Sequence, residues 1–118
     1  MVTASLPPVA TVIPLDSLSF SPTAKLFEGG EHGLDASFFV TEYERDQGVG
    51  LHKHPYAEVF LVETGVGLFT VGDEELFVEA GTVLIVPAET QHGFRGAGDD
   101  VLRVVSVHPR GKVEQAFL

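Results

Sequence analysis

The chain has no cysteine among its 118 residues. That excludes disulfides, cysteine-based zinc sites, iron–sulfur clusters and any thiol nucleophile. Positive charge is scarce as well: seven Lys and Arg stand against seventeen Asp and Glu, a formal net charge of −10. Nucleic acids and anionic membranes both select basic surfaces, so neither is an expected partner. No stretch approaches the ~20 apolar residues of a membrane-spanning helix. The first twenty residues hold no Lys or Arg and no apolar run of signal-peptide length, and they contain Pro7, Pro8 and Pro14. A secretory signal is therefore not expected, and a cytoplasmic location is. There is no internal repeat and no low-complexity linker.

What is present points to a packed β protein. Hydrophobic residues make up 44% of the chain and nine are Phe, which excludes wholesale disorder. The length suits one domain. Residues 1–20 read as an N-terminal arm whose prolines disfavour a helix, with Val9–Ile13 available as a strand. Residues 21–118 read as a single barrel domain. Apolar, β-branched segments are expected as strands over Ala36–Tyr43, Leu51–His54, Ala57–Glu63, Gly67–Val71, Leu76–Glu79, Thr82–Val86, Gln91–Arg95 and Val101–His108. Gly or Pro punctuates them every five to ten residues, the pattern of an antiparallel sandwich or barrel. Only Val113–Leu118 offers a place for a helix.

Chemistry concentrates in two segments. In Leu51-His52-Lys53-His54-Pro55-Tyr56-Ala57-Glu58, the two His are two residues apart. On a strand they share a face about 6–7 Å apart and can converge on one ion, while Lys53 points the other way. Glu58 begins an apolar row with Phe60 and Val62, where a carboxylate is costly to bury unless a cation meets it. In the second segment, Gly81 to Phe94, a strand ends at Pro87, a turn follows, and His92 opens the next strand. Three neutral imidazoles and a carboxylate suit a divalent first-row metal: Mn, Fe, Co, Ni, Cu or Zn. Such a set leaves one or two positions of a five- or six-coordinate ion free.

These two segments resemble the motifs of the cupin superfamily, in particular its small single-domain microbial members. The first motif reads Gly, five residues, His-x-His, three or four residues, Glu, six residues, Gly. His52, His54, Glu58 and Gly65 match it. The second reads Gly, five residues, Pro-x-Gly, two residues, His, three residues, Asn. Gly81, Pro87 and His92 match it. Three positions depart: Asp46 stands at the first Gly, Glu89 at the turn Gly and Gly96 at the Asn. Glu89 is expected to impose a different turn, since Gly there permits positive φ.

The resemblance implies an all-β, double-stranded β-helix (jelly-roll) barrel. It implies one divalent transition metal held by His52, His54, Glu58 and His92. It implies a homodimer, with Val59, Leu61 and the arm as interface material. Its function is either metal-dependent oxygenase, decarboxylase or isomerase chemistry on a small polar molecule, or non-catalytic small-molecule binding or sensing. No confident general acid or base stands out, and fold alone does not choose between the two. Ligation by neutral His predicts metal loss as pH falls below ~6.5.

The remaining candidates have plainer readings. His32 is expected in a solvated loop, His108 as a structural strand-end residue, and Tyr56 at the surface beside a proline turn. Phe38, Val40, Phe60, Phe69, Phe94 and Val104 are expected in the core, with two or three of them walling a cavity. Glu42 and Arg103 are expected to be solvated unless paired. Ser106 lies in no nucleophile motif, and Gly65-Val66-Gly67 is no phosphate loop because no helix follows.

Overall fold

The structure, a computed structural model, describes residues 9–118. Eleven strands run β1 (Ser19–Ser21), β2 (Ala24–Glu28), β3 (Ser37–Tyr43), β4 (Gly48–Lys53), β5 (Glu58–Thr64), β6 (Val66–Val71), β7 (Glu74–Glu79), β8 (Thr82–Val86), β9 (His92–Gly96), β10 (Leu102–His108) and β11 (Ala116–Phe117). They form two antiparallel sheets. One is ordered β1-β2-β3-β10-β5-β8, the other β11-β4-β9-β6-β7. Among the described residues, the helical elements are two short 3-10 turns, Leu15–Ser17 and Gly29–His32. Among the described residues, no helix is long and apolar enough to cross a membrane.

Each expected strand is present, with ends shifted by a few residues. Three others were not foreseen: β1, β2 and β11. The last lies in Val113–Leu118, the one segment that offered a place for a helix, and Ala116 and Phe117 instead pair with Lys53 and His52 of β4. Two residues can complete a sheet edge, whereas six free residues are too few to nucleate a helix. Residues 9–14 form no strand. Residues 1–8 of the expected arm lie outside the described residues.

Period-two alternation decides what faces inward. On β5, Glu58, Phe60 and Val62 are buried while Val59 and Leu61 are exposed. On β10, Leu102, Val104, Ser106 and His108 face in. On β3 the inward row is Ser37, Phe39, Thr41 and Tyr43. Phe38 therefore lies half-buried on the outer face, contrary to the expected core assignment, whereas Val40, which shares that face, is buried as expected. Phe39, one residue away, walls the cavity instead. The core proper is Tyr43, Phe60, Val62, Phe69, Val78, Val86, Phe94, Leu102 and Val104. Phe60, Phe69 and Phe94 contact one another, with centroids 4.8–5.5 Å apart.

The motif departures have a clear structural outcome. Asp46 and Glu89 are the two non-glycine residues with positive φ among those described, at 66° and 61°. Glu89 thus keeps the backbone that a glycine would have adopted, and the expected change of turn does not occur. The strain, on the order of 1–2 kcal/mol at such a position, is held by a hydrogen bond from the Glu89 N–H to the His54 carbonyl, 2.9 Å. At position 96 a side chain is excluded: a Cβ would lie 2.4 Å from the Glu44 carbonyl oxygen. That close approach accounts for Gly96 where the motif has Asn.

Candidate metal centre

Four inward side chains meet at one end of the barrel. His52 comes from β4, His54 from just past its end, Glu58 from the start of β5 and His92 from the start of β9. All four are buried, and one potential ligand atom from each lies within 4.8 Å of the others. The register explains the meeting: His52 pairs directly with His92 across β4 and β9, and their rings sit 4.3 Å apart. All four residues singled out in the sequence are brought together.

Each histidine is oriented by its own backbone. His52 Nδ1 lies 2.8 Å from the Gly50 carbonyl, His54 Nδ1 2.9 Å from that of Tyr56, and His92 Nδ1 2.8 Å from that of Thr90. A carbonyl only accepts, so each Nδ1 carries the proton. In the neutral ring the lone pair is then on Nε2, and two of these Nε2 atoms face Glu58. His54 Nε2 lies 2.6 Å and His92 Nε2 3.0 Å from Glu58 Oε1. A lone pair against a carboxylate is repulsive unless a proton or a metal ion lies between them. Two ligands at ~2.1 Å from an ion and at right angles are ~3.0 Å apart, so the spacing fits an ion. The donor set, three imidazole nitrogens and one carboxylate oxygen, suits a divalent first-row metal.

Two functional residues escaped the sequence reading. His108, expected to be merely structural, is fully buried, with Nε2 3.1 Å from Glu58 Oε2. Its Nδ1 accepts from the Tyr56 hydroxyl at 2.7 Å, and that hydroxyl in turn accepts from the Glu114 N–H at 3.1 Å. Tyr56 is therefore buried rather than at the surface, stacked on His54 with centroids 4.5 Å apart. A carboxylate only accepts, so His108 presents an N–H to Glu58, the opposite tautomer to the three other rings. This bond occupies Oε2 and leaves Oε1 facing the histidine cluster. The signal for His108 was the inward parity of Leu102, Val104 and Ser106. For Tyr56 there was none, because its partner is fifty-two positions away.

The electrostatics follow from these contacts. Burial alone would raise the Glu58 pKa, but hydrogen bonds to His108, His54 and His92 outweigh it and hold the carboxyl well below its usual range. Burial depresses His52 below its ordinary value. Burial would also lower His54, yet its bond to Glu58 raises it. Burial pushes up the Tyr43 and Tyr56 hydroxyls.

A cavity of about 120 Å³ opens beside the cluster and reaches His52, Glu58 and His108. Phe20 of β1 and Phe117 of β11, both exposed strand residues at sheet edges, stand at its mouth. Glu42 and Arg103 face away from it and pair with each other at 2.8 Å. His32 is exposed, as expected, and stacks on Phe27.

The cupin domain family matches residues 39–108, more than half of the chain. The protein belongs to the cupin family. No curated protein is significantly similar to it in sequence. Among solved structures, an oxalate decarboxylase from Bacillus subtilis, studied for its Mn(II) centers, shares 18% identity at a TM-score of 0.76. That match covers 84% of this cupin and 29% of the decarboxylase chain. Another structure of that decarboxylase, a mutant, aligns at a TM-score of 0.78 and 18% identity, over 88% of this chain and 31% of the other. This cupin thus spans less than a third of those relatives. An uncharacterized conserved protein with a double-stranded beta-helix domain, from Klebsiella pneumoniae, matches more evenly. It shares 19% identity at a TM-score of 0.73, with 90% of this chain and 89% of that one covered. At such identities the likeness establishes the jelly-roll fold.

Proposed function

We propose that His52, His54, Glu58 and His92 hold one divalent transition metal ion, and that the cupin uses it to act on a small molecule in the adjoining cavity. The observation that carries this is the common orientation of the three histidines. Three Nδ1–H groups are tied to backbone carbonyls, so the Nε2 lone pairs of His54 and His92 meet one carboxylate oxygen, with His52 in the same cluster. When bound, the ion supplies Lewis acidity or a centre for O₂ chemistry, consistent with an oxygenase, decarboxylase or isomerase. The chain's own part is to orient the ligands, to keep Glu58 ionised and to exclude bulk water with the apolar wall. Elemental analysis of protein purified without added metal should find close to one ion per chain. The double variant His52→Ala/His92→Ala should lose it, and unchanged stoichiometry would remove the assignment.

A second reading, a binding or sensing cupin without turnover, draws support from the cavity. Glu58, His52, His108 and Tyr43 are the titratable side chains lining it. The first three are already engaged, with the histidine cluster, the Gly50 carbonyl and Tyr56. If the metal-loaded protein consumes no O₂ and converts no member of a metabolite panel, the sensing reading stands. We further propose a homodimer through the outer face of the six-stranded sheet. There Val59, Leu61, Val83, Ile85 and Val107 are exposed on three neighbouring strands, Ile85 at 65%. Light scattering that returns a monomer mass at micromolar concentration would dismiss it.

A further inference from the structure

Every cation of this protein stands outside the cavity. Lys25 and Lys53 lie near Asp16 and Glu89, at 3.9 and 3.7 Å. Arg45 pairs with Asp99, and Arg95 lies 4.0 Å from Asp46. Arg103 bridges Glu42 and Glu63 on the outer face. Arg110 lies over the Tyr56 ring at 5.2 Å, and Lys112 is exposed on the C-terminal tail. None of the seven lines the cavity, and residues 1–8 contain no Lys or Arg to add. Most of the wall is apolar, formed by Phe20, Phe39, Val49, Phe94 and Phe117, and its other polar groups are neutral: the hydroxyls of Ser21, Thr41, Tyr43 and Ser106 and the Gln115 amide. Glu58 is the one permanently charged side chain on it.

We propose that this site selects a monoanionic, metal-chelating oxygen ligand with an apolar body, and that it rejects dianions. The inference rests on the metal reading above. A divalent ion with one carboxylate ligand leaves one net positive charge in a buried, apolar enclosure, which a monoanion neutralises. A second carboxylate on the ligand would be desolvated against phenyl rings with no cation to meet it, which is strongly unfavourable. The net charge of −10 works in the same direction, because the outer field repels a dianion more than a monoanion.

A matched pair of probes tests the charge alone. 2-Oxopentanoate and 2-oxoglutarate present the same 2-oxo acid head on a five-carbon chain; one ends in a methyl group and the other in a carboxylate. Each is titrated into Co(II)-loaded protein at constant ionic strength, and the visible spectrum of the cobalt reports binding. 2-Oxopentanoate is expected to bind at least ~10-fold more tightly than 2-oxoglutarate. Phe117→Lys places a cation at the mouth, at a residue 60% exposed whose replacement spares the core, and should shrink that ratio. A dianion binding as tightly as 2-oxopentanoate, no response to either oxo acid, or an unchanged ratio in Phe117→Lys would each overturn this proposal alone. Failure of the protein to take up cobalt at all would overturn the metal reading and this inference with it.

Discussion

The barrel interior has two halves built on the same strands. Toward one end, β5 and β10 contribute Val62, Phe60, Leu102 and Val104. Toward the other, the same two rows continue as Glu58, Ser106 and His108. In the first half, stability comes from area removed from water and is insensitive to pH. In the second, each polar group must find a partner, and among the described residues no buried side-chain nitrogen or oxygen lacks one. Continuous strands thus let a dry core clamp a polar cluster that could not hold its own geometry. The dry half keeps the strands in register, and the register places His52 opposite His92.

Three measurements can break or sharpen this division. The largest effect is expected in the dry half. Phe60→Ala, at a fully buried ring packed on Phe69 and Phe94, should cost about 3–5 kcal/mol in chemical denaturation. That corresponds to a Tm drop on the order of 10 °C or more. A loss below ~1 kcal/mol would mean that the apolar half is not what holds the barrel.

In the polar half the effect should fall on the metal. His108→Leu removes the N–H that holds Glu58 Oε2 and should weaken metal affinity ~10–100-fold in competition with a chromophoric chelator. His108→Gln restores a donor and should recover part of the loss. Equal affinity in all three proteins would show that Glu58 needs no such support.

The smallest effect is in pH dependence, and its sign separates bound from free protein. His52 titrates below its ordinary value of 6.5 and His54 above it. A depressed His destabilises the fold as pH falls below ~6.5, because the unfolded chain takes up the proton more readily. A raised His stabilises it below ~6.5 and loses that contribution as pH rises through the folded value. From these two groups, the metal-free protein should show maximal Tm near pH 6.5. With excess metal the fall above that pH should disappear, because the ion takes the place of the proton at His54. Identical Tm profiles with and without chelator would contradict both the site and its polarity. Competition between proton and metal at His54 also begins above pH 6.5, earlier than free imidazole implies.

Much of this was legible in the sequence because it is local. Eight strands announced themselves through alternation and Gly or Pro boundaries. The four clustered residues were found because His52, His54 and Glu58 lie within seven positions and His92 follows the turn after Pro87. What escaped depended on partners far along the chain. β11 is a strand only because β4 offers an edge, and nothing in Ala116-Phe117 alone says so. The parity of β3 was misread because Phe38, Phe39 and Val40 are all apolar, so the pattern carried no phase. Glu89 was expected to alter its turn, but the hydrogen bond to His54 holds the left-handed backbone regardless of side chain.

The sequence by itself determined the class of fold and the donor chemistry, since alternation and ligand type are properties of neighbouring residues. With no cysteine, it limited any metal site to nitrogen and oxygen. The tertiary structure decided the rest: that His108 grips Glu58, that Tyr56 is buried behind it, and that none of the seven cations enters the cavity. Those are facts of register and closure between segments tens of residues apart, where the identity of one side chain carries no information about its partner.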